Sequence, residues 1–169
     1  MLKLAFAFAA PADAPELVAL HAAVAADLTR RYGQGHWSGS PTERGVLEAM
    51  RRPEFSRVLV ARKGKRIAGA LRLATKKPWA IDTAYFTPAT RPLYLTGMAV
   101  LPELQGQGIG RRLMKECESV ARAWPADAIR LDAYNATAGA GPFYAKCGLR
   151  EVGRVSYKGN PLVYFDLAL

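Results

Sequence analysis

The stretch Tyr94–Arg112, YLTGMAVLPELQGQGIGRR, constrains this chain more than any other. An apolar run through Leu95, Met98, Ala99 and Val100 meets a short turn containing Pro102. Gln105-Gly106-Gln107-Gly108-Ile109-Gly110 follows, and then two arginines and a helical pattern. Strand, glycine-rich turn and helix start in that order form a cradle for phosphate. The first amides of a helix lack intrahelical partners, carry partial positive charge and point outward. Glycines let a ligand come close to the backbone.

Two familiar phosphate motifs do not fit. A P-loop needs Gly-Lys-Ser/Thr after its glycines, whereas Arg111-Arg112 follow Gly110. A dinucleotide fingerprint needs glycines at its first, third and sixth positions. Counted from Gly106 the sixth is Arg111, and counted from Gly108 it is Leu113. Asp132 stands about where a ribose-binding acid would, but without those glycines it reads as an ordinary polar residue of a strand. The pattern Gln/Arg-x-x-Gly-x-Gly/Ala does fit Gln105–Gly110.

The rest of the chain alternates strands and helices. Leu2, Leu4, Phe6 and Phe8 alternate with smaller or polar residues, as a first strand would rather than a signal peptide. Leu17, Leu20, Val24 and Leu28 place a helix over Pro15–Arg31, followed by the loop Gly33–Gly39. A second helix starts at Ser40-Pro41-Thr42-Glu43 and runs to about Arg52. Arg57–Arg62 and Arg66–Ala74 are strands around Lys63-Gly64-Lys65. Lys76–Pro92 is a long aromatic connection, and such loops are often functional. Strand Tyr94–Val100, amphipathic helix Gly108–Trp124 and strand Ala128–Tyr134 come next. A short helix over Ala138–Cys147 stops at Gly148, and strands Arg150–Tyr157 and Leu162–Leu167 close the chain. The fold class is α/β (α+β), with helices covering a mixed sheet.

Composition narrows the function classes. The 169 residues suit one domain, 1–169, with a sizeable core. No apolar run approaches the ~18–20 residues of a membrane span. Cys117 and Cys147 supply neither a disulfide framework nor a metal spacing, which fits a reducing, cytoplasmic setting. The 24 basic residues outnumber the 14 acidic ones but are scattered in pairs. That pattern favours attraction for small anions over a nucleic-acid surface.

A second signature lies downstream: Asn135, then Phe143-Tyr144-Ala145-Lys146-Cys147-Gly148-Leu149. With the glycine turn and the element order, it resembles the GNAT superfamily of N-acetyltransferases over Leu2–Leu167. The resemblance implies a mostly antiparallel central sheet with a splayed strand pair that binds acetyl-CoA. The backbones of Met98, Ala99 and Val100 would pair with its pantetheine arm. The amides of Gln105, Gly106, Gln107, Gly108, Ile109, Gly110 and Arg111 would cradle its pyrophosphate, with Arg111, Arg112 and Lys146 adding positive charge. Asn135 would hydrogen-bond the pantetheine arm. Tyr144 would be the catalytic residue that protonates the departing thiolate. With a tyrosine pKa of ~10 and a thiol pKa of ~8.5, full transfer is uphill by roughly 2 kcal/mol, so Tyr144 must be tuned or only hydrogen-bond the sulfur. The loop Ala136–Pro142 makes the Asn135–Tyr144 interval longer than the family's usual one, and Leu149 replaces the usual Phe.

The resemblance implies direct attack by an amine on the acetyl thioester in a ternary complex. A small-molecule or peptide amine is the expected partner, with a homodimer also open to the chain and neither nucleic acid nor membrane expected. A non-catalytic CoA-binding regulatory module is the alternative. Asp82, Glu103, His36 or water could take the amine's proton. The acceptor pocket is expected from Gln34–Ser38 and Trp79–Phe86. No metal is expected.

Overall fold

A computed structural model describes residues 1–169. Seven strands run in the order β1-β2-β3-β4-β5-β7-β6. The chain divides into two compact units, Met1–Leu73 with Thr96–Cys117, and Ala74–Leu95 with Glu118–Leu169.

The first unit holds β1 (Ala5–Phe8), α1 (Ala14–Tyr32), α2 (Glu43–Met50), β2 (Ser56–Lys63) and nearly all of β3 (Arg66–Ala74). It also holds the second half of β4 (Pro92–Val100) and the start of α3 (Ile109–Ala123). Helix α1 buries Leu17 and Leu20 and ends at Gly33, whose φ of 80° a side chain would resist. Asp13 pairs with Arg62 at 2.6 Å, and the Ile67 N–H donates to Glu16 Oε1 at 2.7 Å. These contacts fasten the start of α1 to the β2–β3 hairpin. Pro41 lies outside α2; Thr42 caps it by accepting the Gly45 N–H at 3.1 Å. The first strand is shorter than the alternation from Leu2 predicts, because its antiparallel register with β2 begins at Ala5↔Arg62. Strands β2 and β3 read as nearly continuous apolar runs because most of their side chains are buried.

The second unit holds the first half of β4, the end of α3, β5 (Ala128–Tyr134), α4 (Gly141–Lys146), β6 (Arg150–Tyr157) and β7 (Asn160–Ala168). β5 pairs antiparallel with β7 along its whole length, and β6 lies outside β7. The ladder of β4 with β5 is parallel and covers Pro92–Tyr94, although β4 runs on to Val100. The long connection before β4 is packed rather than loose. Ile81 and Phe86 are buried with Tyr94 and Tyr164. Buried Arg130 donates to the Thr87 carbonyl at 2.6 Å, and the Thr87 N–H donates to buried Asp166 at 3.2 Å.

Helix α4 begins later than the expected Ala138, at Gly141. The Gly139 N–H closes a turn onto the Ala136 carbonyl at 2.8 Å, and a Cβ at Gly139 would overlap the Tyr134 carbonyl oxygen. The extra residues between Asn135 and Tyr144 are therefore folded back on the end of β5.

Candidate functional site

In the first unit, β4 delivers buried Ala99 between half-buried Met98 and Val100. Just before them, Gly97 takes a φ of 62° inside the strand, which marks a local irregularity where the backbone turns. A short 3-10 turn, Pro102–Leu104, leads into the glycine run. The Gln105 N–H is already committed to the Pro102 carbonyl at 3.3 Å, and its side-chain amide donates to the Val100 carbonyl at 3.0 Å. Gln105 thus braces the turn, and its amide is spent on the protein.

Gly106 and Gly108 have φ of 75° and 81°, with open space where a Cβ would stand. The helical ladder starts with the Arg112 N–H donating to the Gly108 carbonyl at 3.1 Å. The amides of Ile109 and Gly110 are therefore in the first turn of a fifteen-residue helix, where the dipole favours an anion. This donor set fits a diphosphate. The Arg112 guanidinium donates to the Leu2 carbonyl at 2.5 Å and lies 5.6 Å from the Phe6 ring centroid. It straps the N-terminal segment to α3. Arg111 is exposed.

The downstream signature lies in the second unit. Tyr144 is buried on α4, with Phe143 and Phe165 rings 5.3 and 6.0 Å away. Asn135 is exposed at the end of β5, and its N–H donates to the Pro161 carbonyl at 2.9 Å. Lys146 is exposed. Leu149 is buried, so it fills the apolar position of the missing Phe.

Sequence reasoning missed one concavity. A cavity of about 250 Å³ lies within the first unit, lined by α1, α2, β2, β3 and the Thr96-Gly97 step of β4. Its walls are largely apolar, with Leu17, Val46, Ala49 and Val58 among them. Two ionisable residues are among those lining it, His21 and Arg72. A Cβ built on Gly97 would lie 3.6 Å from His21 Cε1 and 4.0 Å from Nε2, so that edge of the imidazole faces the β4 irregularity. Burial lowers the His21 pKa below its ordinary 6.5, which leaves the ring neutral at pH 7. Burial also lowers the Arg72 pKa from 12.5, but a guanidinium stays charged in any protein. Arg72 Nε donates to Ser56 Oγ at 2.7 Å. The sequence did hold a signal: His21 falls four residues after Leu17, on the stripe that α1 turns inward.

Two of the expected proton acceptors have partners within the protein. Exposed Glu103 pairs with Arg66 at 2.6 Å, and its pKa is lowered by a backbone hydrogen bond and by Arg66. Asp82 is exposed and caps a 3-10 turn by accepting the Ala84 N–H at 3.0 Å. His36 is exposed. The segments expected to form the acceptor pocket do not line this cavity. Gln34 and Ser38 border a separate groove along α1, and Trp37 folds over Gly35 while donating to the Gly33 carbonyl at 3.0 Å. Trp79 and Tyr85 are exposed in the second unit. No group of side chains could hold a metal ion, and no helix is long and apolar enough to cross a membrane.

Comparison with known proteins gives the family and the fold. The acetyltransferase (GNAT) family model matches residues 22–149, more than half of the chain. The chain belongs to the GNAT acetyltransferase family. Its fold is shared with YncA of Salmonella typhimurium, solved with its cofactor acetyl-CoA (TM-score 0.71, 16% identity, 98% of this chain and 94% of that one). The PaiA N-acetyltransferase of Thermoplasma acidophilum, solved with coenzyme A, matches with a TM-score of 0.73 at 14% identity over 99% of both chains. A ribosomal-protein-alanine N-acetyltransferase of Brucella melitensis matches with a TM-score of 0.73 at 20% identity, over 98% of this chain and 99% of that one. No curated protein matches the sequence.

Proposed function

We propose that this protein is an acetyl-CoA-dependent N-acetyltransferase, in which an amine attacks the acetyl thioester directly within a ternary complex. The observation that carries the reading is the turn Gly106–Gly110. Two left-handed glycines open onto the first amides of α3 at the end of β4, in a chain of the acetyltransferase family. Acetyl-CoA would supply the activated acyl group. The backbone of Met98, Ala99 and Val100 would hold the cofactor's arm. Gly106, Gln107, Gly108, Ile109, Gly110 and Arg111 would surround its pyrophosphate, while Gln105 keeps the turn in shape. Asn135 and Lys146 are assigned secondary cofactor contacts.

Tyr144 is assigned the proton that neutralises the departing sulfur. Its burial beside the Phe143 and Phe165 rings supports this reading, because the packing holds the side chain in one place. A thermal-shift titration with acetyl-CoA, beside an amine panel read by release of free CoA thiol, tests the whole proposal. Protection by acetyl-CoA beyond that given by inorganic pyrophosphate, with thiol release on at least one amine, is the expected result. Protection without release across a broad panel would leave a CoA-binding module. Protection no greater than that of the simple anion would remove the cofactor.

A further inference from the structure

The acceptor half of the reaction can be read from the first-unit cavity. Arg72 brings a permanent positive charge to a largely apolar space. None of the protein's ion pairs includes it, and its one side-chain hydrogen bond is made through Nε to neutral Ser56. A half-buried cation without a counter-charge is costly, and a bound anion offsets that cost. With Nε occupied, the two Nη groups remain to take a planar, two-oxygen anion end-on. The opposite requirement, a neutral base, is met by His21, whose Cε1–Nε2 edge faces Gly97 immediately before Met98. The volume of about 250 Å³ is below the ~300–1,000 Å³ of sites for drug-sized ligands, so the occupant is small.

We propose that this cavity binds a small amine bearing a carboxylate, an amino acid in the broad sense, with Arg72 taking the carboxylate and His21 taking the amine's proton. The inference rests on the acetyltransferase reading and names its acceptor class. The neutral amine's lone pair forms the new C–N bond as the C–S bond breaks with its electron pair leaving on sulfur. The proton shed by nitrogen goes to His21 Nε2, and the sulfur receives its proton from Tyr144. Solvent then restores both residues. Among the side chains lining the cavity from α1, α2, β2, β3 and β4, Arg72 is the one other ionisable group near His21. Peptide N-termini do not suit this arrangement, because their α-carboxyl group is an uncharged amide.

The test compares matched acceptors on the acetyl-CoA-loaded enzyme: leucine, leucinamide and 3-methylbutylamine, then 4-aminobutyrate and butylamine, then O-phosphoethanolamine and ethanolamine. At least one carboxylate-bearing amine should exceed its uncharged counterparts by about 10- to 100-fold in kcat/KM, the scale of a charge-assisted hydrogen bond. Arg72→Met should erase that preference by raising KM for the carboxylate-bearing amine. His21→Gln should lower kcat while KM is kept, and should abolish the acid limb of the kcat–pH profile. Equal or better use of the uncharged amines by the wild-type protein overturns the acceptor class, as does a preference for the phosphate ester. A His21→Gln enzyme with full kcat and an intact acid limb overturns the base.

Calorimetric titration of the same amines into CoA-loaded protein keeps the acceptor class testable apart from turnover. Selective carboxylate binding without thiol release supports the site while counting against the transfer reaction. Thiol release with no carboxylate preference does the reverse. Failure to bind either CoA or acetyl-CoA takes both down.

Discussion

The glycine turn and the proposed acceptor cavity belong to the same compact unit, yet they are built on opposite plans. The turn works through backbone. Its proposed ligand contacts come from consecutive residues, and what matters there is that Gly106 and Gly108 can hold φ near 80° with nothing projecting outward. The cavity works through side chains. His21 comes from α1, Arg72 from β3 and the Gly97 irregularity from β4, so the constellation exists only after the hairpin and the helices have packed. A backbone site is thus written locally in the chain, whereas a side-chain site is written in the fold.

That contrast can be broken by experiment. The largest effect should come from outside both regions. Tyr144→Phe removes the hydroxyl assigned to the sulfur's proton and should lower kcat by about 10²–10⁴-fold, the usual range for a lost general acid. Affinities for acetyl-CoA and for the acceptor should hold, since neither proposed binding region loses an atom. Steady-state thiol release with parallel cofactor titration reads this, and an unchanged kcat would strip Tyr144 of its role.

Next in size is Gly108→Val. A β-branched residue at φ 81° is strained by about 1–3 kcal/mol. If the turn escapes that strain by reshaping, acetyl-CoA should bind about tenfold or more weakly. The discrimination between carboxylate-bearing and plain amines should survive, because Gly108 does not line the cavity. Arg72→Met should give the mirror result, with selectivity lost and cofactor affinity kept. Should both variants lose both properties, the two regions are not separable and the contrast fails.

The same contrast explains what was legible in advance. β3, β5 and β6 fall at the bounds that their apolar runs and turn residues predict, and for β3 and β6 this is because Gly64 and Gly159 sit where the chain must turn with positive φ. The parallel pairing of β4 with β5 stops at Tyr94, in keeping with the splayed pair that the resemblance to the family implies. The start of α4 was obscured because a glycine-rich run permits helix, and only the close approach of Gly139 to the Tyr134 carbonyl decides against it. His21 was hidden for a different reason. On an inward helix face a lone histidine looks like a core residue until Gly97 and Arg72 are brought to the same cavity. Asp82, Glu103 and His36 drew attention by standing in loops, where sequence cannot show that Glu103 is spoken for by Arg66 or that Asp82 holds its own turn.

Gly69 tests where the two plans meet. On β3 its missing Cβ would stand 2.9 Å from the Ala99 carbonyl oxygen, 3.3 Å from Val100 Cγ2 and 3.5 Å from Ile109 Cγ2. Gly69→Val must therefore push β4 or α3 outward. We expect a loss of about 1–3 kcal/mol in urea unfolding, the range for overpacking, accompanied by weaker acetyl-CoA binding. Destabilisation with cofactor affinity intact would show that the Ala99 strand tolerates displacement. Glu103→Gln is the control, and kcat should be unchanged because the carboxylate serves exposed Arg66.

The smallest effect concerns stability rather than rate. His21 has a folded-state pKa below 6.5 because burial disfavours the imidazolium. Between that value and 6.5 the unfolded chain binds more protons than the folded one, so stability falls as pH falls. The contribution of a neutral His21 is complete above about pH 7 and declines as pH drops through the folded-state pKa. Partly buried Asp132 works against this, because desolvation raises its pKa, and the stability from its protonated form is lost as pH rises through that raised value. The raw profile mixes the two, but the difference between wild type and His21→Gln isolates one. Above pH 7 that difference should be flat. Below 6.5 it should move in favour of the variant, which has no proton to take up. A difference that stays constant down to pH 5 would mean that His21 titrates as it does in the unfolded chain, and the neutral base in the cavity would lose its physical ground.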